Sequence, residues 1–359
     1  MQEGKYNMQK ISTVFFGSSS YVLPIIESLH KNFDLKLVVT TEQNPTDPVP
    51  NYCVLHHIAY LSIFSTKEIL NTKYKILDTK SPVAILASFG LIIPQSVIDI
   101  FPKGIINIHP SMLPEYRGTT PIQTAILDGK DKTGVSIMLL DQEVDHGPLL
   151  AQETLSIAPD DTSDSMYRKA FEKGARMLVK ILPDYCNGIL QPIAQDHSKA
   201  TYTQPLTRES GFIDISVIPA QVIDSEVDQT RGAGIYKDRS RVKPGMTLFQ
   251  IDRAVRALYP WPGVWTKVMI KNKGLRIKLL PASSVIPSSS SVIPGSSSVI
   301  PSSSSVIPGS DPGSTQIDSP FQGNDILFQV EGKNPVSYKD FINGYPDGKE
   351  ILEKLGIMA

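Results

Sequence analysis

The stretch GIINIHPSMLPEYRG, residues 104–118, passes within a few positions from an apolar run to Asn, His, two Pro and Arg. Strand alternation over 104–108 places Ile106 and Ile108 on one face and Asn107 and His109 on the other, so two polar side chains emerge together as the strand ends. Pro110 and Pro114 stop regular pairing and stiffen the Ser111-Met112-Leu113 turn between them. In open α/β sheets ligands sit outside the carboxyl ends of the strands, and this segment has the form such a site takes.

Working outward, strand patterns are expected at 11–16, 35–40, 83–89, 134–140 and 148–154, and helices at 20–31, 94–101, 119–128 and 162–182, the last opened by Asp161, Thr162 and Ser163. The alternation predicts an α/β fold: a Rossmann-like, doubly wound parallel sheet covered by helices. Periodicity lapses over 190–207, which reads as a linker. Beyond it, 264–270, 275–280 and 325–330 read as strands of a small β-barrel, OB-like in size. The expected layout is a disordered leader 1–8, a catalytic domain 9–189, the linker, and a second domain 208–359.

Two stretches of the second domain read as insertions, 217–245 and 282–318. The latter repeats SSVIP at a seven-residue period over 283–310. Proline in every copy excludes a coiled coil, and Ser, Pro and Gly around a single Val-Ile pair bury too little surface to offset the entropy of ordering.

At 359 residues, 41% hydrophobic and 20% charged, the chain has room for two ordinary cores. No apolar run approaches the ~20 residues of a membrane helix and the start lacks a signal-peptide core, so a cytoplasmic protein is expected, monomeric by default. Two cysteines, Cys53 and Cys186, make no disulfide framework and match no metal spacing. Net charge is −1, yet 231–278 carries twelve Lys or Arg against Asp238 and Asp252 only. A basic segment in a neutral chain suits either a polyanionic partner or a solvated face.

A second polar cluster, DQEVDHG at 141–147, follows the strand at 134–140 and is closed by Gly147. A carboxylate from this turn, Asp141 or Asp145, could orient the imidazole of His109 and favour its charged form. Amide, imidazole and carboxylate converging at sheet ends suit acyl transfer to an amine: Asn107 and His109 stabilise an oxyanion, and the carboxylate relays a proton through water. An amine acceptor needs no Ser or Cys nucleophile, and neither a GxSxG elbow nor a metal-ligand cluster is present; His56-His57 read as solvated loop residues. Gly17-Ser18-Ser19-Ser20, after the first strand, reads as a tight turn or, alternatively, an anion-receiving loop.

These residues resemble a known family. Asn107 through Gly118, then Pro121-Ile122-Gln123, Thr133 to Ser136 and Asp141 to Gly147 are similar to the formyltransferases that use 10-formyltetrahydrofolate, most closely the methionyl-tRNA formyltransferases. Gly17 to Pro24 and Ala87 to Pro94 extend the resemblance, and Tyr259 to Gly263 with Glu331 to Gly344 resembles the C-terminal domain of the tRNA enzymes. It implies catalytic roles for Asn107, His109 and Asp145, folate contacts from Ser111, Met112, Leu113, Pro114, Phe89 and Gly90, no metal, and initiator methionyl-tRNA as the formyl acceptor. Two departures stand out: Met112 replaces the usual Leu, and the loop after the second strand, 41–52, has no Lys or Arg where the family is basic. Phosphate contacts would then fall to the segment 231–278. With water as acceptor the same trio gives a formyl-folate hydrolase, and with a sugar amine a nucleotide-sugar N-formyltransferase. A catalytically silent RNA-binding relic is the reading outside the enzyme class.

Overall fold

The computed structural model describes residues 10–213, 248–270, 273–282, 326–345 and 347–354. The leader, nearly all of both expected insertions, and six basic residues of the segment 231–278 (Arg231, Lys237, Arg239, Arg241, Lys243 and Lys271) lie outside the described residues.

A seven-stranded sheet organises the first half, in the order β3-β2-β1-β4-β5-β6-β7. Its strands are β1 (Ser12–Gly17), β2 (Asp34–Thr40), β3 (Tyr60–Ser62), β4 (Val83–Ala87), β5 (Ile105–His109), β6 (Lys132–Leu139) and β7 (Leu149–Ser156). The helices in this half are α1 (Leu23–Asn32), α2 (Pro48–Leu55), α3 (Thr66–Leu77), α4 (Gln95–Ile98), α5 (Pro121–Leu127) and α6 (Ser163–Cys186). The first five strands pair in parallel, as expected, but β6 runs antiparallel to β5 and β7 antiparallel to β6. For β7 the reason is covalent: a parallel neighbour of β6 needs a crossover of a dozen or more residues, and the helix-free connection 140–148 is too short to supply one.

Period-two alternation divides the strands between two cores. Phe15, Val83, Ile85, Ile106 and Ile108 pack with α1 and α6 through Ile25, Ile26, Leu29, Phe171 and Leu178. Val14, Phe16, Ala84 and Ile105 pack on the other face with Ile69, Ile76, Val97 and Phe101. Phe16 meets Phe89 and Phe101 edge to face, with ring centroids 5.5 and 6.4 Å apart, the arrangement that ring quadrupoles favour. Asn107 and His109 therefore belong to the face of Ile105, at the end of a strand buried on both sides.

Thr162 caps α6 through a reciprocal pair, its hydroxyl accepting from the Ser165 amide while Ser165 Oγ accepts from the Thr162 amide. Burial acts to raise the Asp161 carboxyl, but bonds from Lys169, Ser165 and the Ala158 amide outweigh it and hold the group below its ordinary value. A carboxyl depressed in the folded state adds stability above its unfolded pKa and loses it as pH falls through the folded value.

In the second half, α7 (Leu248–Ala257), α8 (Tyr338–Gly344) and α9 (Gly348–Lys354) surround an antiparallel sheet of β8 (Val264–Ile270), β9 (Lys273–Pro281) and β10 (Ile326–Val330). The three expected strand runs are these three strands; the expected barrel is represented, among the described residues, by this sheet alone. Its core, Ile251, Val255, Leu258, Val264, Ile277, Phe328 and Phe341, is separate from the first two. The halves join where Ala257 packs with Ile122 and Ile126 of α5, and where Arg256 Nη1 donates to the Asp161 carbonyl at 3.0 Å. No helix among the described residues is long and apolar enough to cross a membrane.

Candidate active site

β5 delivers Asn107 and His109, and the connection from β6 to β7 delivers Asp145. Because β6 is antiparallel to β5, its carboxyl end points the opposite way, and the expected picture of three groups at matching strand ends is corrected: loop 140–148 turns back to bring Asp145 to the other two. Asn107 Nδ2 donates to Asp145 Oδ1 at 3.1 Å, and His109 Nδ1 lies 3.5 Å from Asp145 Oδ2. A main-chain donor completes the set, the Gly118 amide reaching Asp145 Oδ2 at 2.8 Å. Asn107 and His109 are only 6% and 5% exposed, so charge that develops between them is poorly screened by water.

The other imidazole nitrogen is also committed. His109 Nε2 lies 3.0 Å from the Tyr116 carbonyl, which can only accept, so Nε2 carries the proton. Nδ1 is thereby the atom left facing Asp145. Its 3.5 Å separation is longer than a short hydrogen bond, while the bond from Nε2 to the Tyr116 carbonyl holds the ring in place.

Backbone conformation serves the same placement. Asp145 adopts φ 49°, in the left-handed region that β-carbons disfavour, and Tyr116 does so at 59°. Gly118 has φ 105°, and a Cβ there would lie 2.8 Å from Thr203 Oγ1; only glycine brings its amide to Asp145. At Gly147 a Cβ would fall 2.0 Å from the Leu139 carbonyl oxygen.

The six expected folate contacts are placed unevenly. Gly90 is open, with nothing within 4 Å of a Cβ position, and Met112 and Pro114 are partly exposed. Ser111, Leu113 and Phe89 are buried instead. The Ser111 hydroxyl donates to the Glu115 carbonyl, the Leu113 amide donates to Ser136 Oγ and its carbonyl accepts from Gln152, and Phe89 packs on Phe16. Ser111 and Leu113 shape the 110–118 loop from within, and Phe89 anchors the segment after β4. Met112 is accommodated by the absence of a side chain at Gly134, where a Cβ would meet its sulfur at 2.2 Å.

Several participants carry no sequence signal. The stretch expected as a linker lies against the site: Thr201 and Thr203 bond the main chain of Arg117 on both sides, at 2.8 and 2.7 Å, and Thr201 Oγ1 accepts from the Tyr116 amide. Arg117 is 1% exposed, its guanidinium donating to Tyr202, Gln195 and His197. Arg117 and Gly118 stood within the opening motif, but nothing in the pattern of 190–207 marked Gln195 or Thr201.

The loop after the first strand resolves its two readings through an acidic residue. Glu42 accepts from the Ser19 and Val49 amides, both at 2.8 Å, so the protein's own carboxylate takes the place an anion would need. Asp47 likewise closes the turn on the Gln43 and Asn44 amides. Neither cysteine offers a nucleophile: burial pushes the Cys53 thiol up to about 12 and raises that of Cys186.

The sheet and the site it carries are those of a formyltransferase chain by sequence match: residues 11–182 and 234–346 match the family models described as formyl transferase and formyl transferase, C-terminal domain. A methionyl-tRNA formyltransferase from Chloroflexus aurantiacus is 35% identical over 263 residues, spanning 70% of this chain and 75% of its own. That from Dehalococcoides mccartyi is 30% identical over 346 residues, spanning 94% and 96%. The chain belongs to the methionyl-tRNA formyltransferase family. Among solved structures, a 4-N formyltransferase from Francisella tularensis shares the fold, with a TM-score of 0.53 at 16% identity over 74% of this chain and 96% of that one.

Proposed function

We propose that the protein transfers the formyl group of 10-formyltetrahydrofolate to the α-amino group of methionine esterified to initiator tRNA. The observation that carries this reading is the convergence of Asn107, His109 and Asp145 around one buried position. The amine attacks the formyl carbon and forms the new carbon–nitrogen bond, leaving a tetrahedral intermediate with its charge on the formyl oxygen; collapse of that intermediate breaks the bond to the folate nitrogen, and the proton lost by the amine ends on that nitrogen. Asn107 has one N–H beyond its bond to Asp145, and with His109 it stabilises the oxyanion of the tetrahedral intermediate. Asp145 orients His109 and passes the proton through water. The folate contacts fall to Gly90, Met112 and Pro114, with Phe89 fixing the segment after β4 and Ser111 and Leu113 the loop after β5.

The acceptor reading draws on the second half. Trp265, Lys267, Arg276 and Lys278 pair across β8 and β9 on the face opposite the core. Arg276 lies 4.6 Å over the Trp265 ring, and Phe212 packs on that ring at 4.7 Å. A basic surface with planar side chains suits an RNA backbone, and in our reading it replaces the contacts that a loop closed by Glu42 and Asp47 does not offer. The boundaries that go with this function are a catalytic domain 9–189, the connection 190–207 and a tRNA-binding domain 208–359, in a monomeric cytoplasmic enzyme.

Release of tetrahydrofolate tests the acceptor class. With 10-formyltetrahydrofolate alone, release should be negligible, and adding charged methionyl-tRNA should start it. Equal release in both would identify water as the acceptor and a hydrolase as the enzyme.

A further inference from the structure

Asp145 is held at two points, and only one involves its carboxylate. The other is its main-chain carbonyl, which accepts from Gln195 Nε2 at 2.9 Å; the same nitrogen donates to the Gly147 carbonyl at 2.7 Å. One amide thus spends both its hydrogens on the turn that presents Asp145, from a side chain only 5% exposed. Gln195 Oε1 accepts from Arg117 Nη2 at 2.8 Å. A guanidinium has donors only and a carbonyl accepts only, so turning the Gln195 amide over would make all three contacts repulsive. Arg117 therefore fixes which way the amide points.

The arrangement closes on itself. Arg117 reaches Asp145 through Gln195, while the next residue, Gly118, donates its amide to Asp145 Oδ2. Asp145 sits between these two holds in a left-handed conformation, from which an unclamped non-glycine backbone relaxes. Such relaxation would move the carboxylate away from Asn107 and His109, and a displacement of about 1 Å in a catalytic group costs up to ~100-fold in rate.

We propose that Gln195 is a positioning residue for formyl transfer: it holds the main chain of Asp145 and Gly147 so that the carboxylate meets Asn107 and His109, and Arg117 sets its amide orientation. This rests on the proposed roles of the trio, and the test separates the two. Three variants of the full chain are compared with wild type, Gln195→Ala, Gln195→Glu and Asp145→Asn, together with the double variant Gln195→Ala/Asp145→Asn. Each is assayed in single turnover with 10-formyltetrahydrofolate and charged initiator tRNA, alongside thermal melts.

Gln195→Glu keeps the size and can pair with Arg117, but offers no donor to the two carbonyls. Both Gln195 variants should lose about 10- to 100-fold in kcat with each KM within about twofold. In the Asp145→Asn background, Gln195→Ala should cost less than about twofold more, because a residue acting through Asp145 has nothing left to position. A merely structural role would lower the melting temperature while leaving kcat per folded molecule and the coupling unchanged. Wild-type kcat in Gln195→Glu, or equal losses from Gln195→Ala in both backgrounds, would overturn the positioning role and leave the trio intact. Wild-type turnover in Asp145→Asn would overturn the reading of the trio, and the proposal with it.

Discussion

Replacing His109 by Ala is expected to lower turnover by about two orders of magnitude or more, equivalent to about 2.7 kcal/mol of transition-state stabilisation, in a protein that still folds. The expectation follows from where the ring sits. It closes the strand end beside Asn107, with Nε2 committed to the Tyr116 carbonyl and Nδ1 facing Asp145. The change also leaves the Tyr116 carbonyl without its partner, at a structural cost of about 1–3 kcal/mol. His109→Gln controls for that, since its amide can still donate to Tyr116 while lacking an imidazole. Single-turnover rates and melts on both variants separate the effects: equal rate losses with different melting temperatures assign the loss to the ring's chemistry. Near-normal turnover in either would remove His109 from the mechanism.

Gly147→Ala should be damaging for a different reason. The added methyl would stand 2.0 Å from the Leu139 carbonyl oxygen, a backbone atom that no rotamer change moves aside. Leu139 is tied to Pro148 by its own amide and the Gly147 carbonyl is held by Gln195, so the turn has little freedom to yield. Overpacking of this kind costs about 1–3 kcal/mol, and what relaxes is the loop that carries Asp145. We expect a lower melting temperature and, in the protein that remains folded, a kcat reduced at least tenfold. A melt and a rate both matching wild type would mean that loop 140–148 is not the rigid support described here.

How much of this was legible beforehand depended on whether a residue's role lay in a local pattern. The alternation in 104–109 separated Ile106 and Ile108 from Asn107 and His109 correctly, because burial on a sheet follows a two-residue period. In the second half the helices α7, α8 and α9 went unread, and in the first half three elements did. β3 is a three-residue strand that, among the described residues, pairs with β2 alone. α2 opens with Pro48 and Pro50, which punctuate a sequence even where a first turn tolerates them. α3 buries Ile69 and Ile76 but leaves Leu70, Tyr74 and Leu77 exposed, so its apolar residues mark no single face.

The site was read as residues and not as an arrangement. Phe89, Ser111 and Leu113 lie in segments whose motif points to a ligand, yet their side chains turn inward, a choice made by tertiary packing. Gln195 and Thr201 sit in a stretch with no periodicity, since a segment that braces a loop through amide and hydroxyl contacts needs none. The reversal of β7 against β6 could have been seen in the absence of any helix from 140 to 148, where a hairpin-like return is the only short connection; that of β6 against β5 could not, because 110–131 carries α5 and is long enough for a crossover.

The central claim is the identity of the acceptor, and one measurement addresses it most directly. The purified protein is incubated with 10-formyltetrahydrofolate and methionine-charged initiator tRNA, methionine-charged elongator tRNA, or neither, and formyl-methionine is quantified after base hydrolysis of the ester. Formyl-methionine formed with the initiator at a rate well above that with the elongator is the predicted result. No formyl-methionine with either tRNA, from a preparation that still releases tetrahydrofolate, would contradict it.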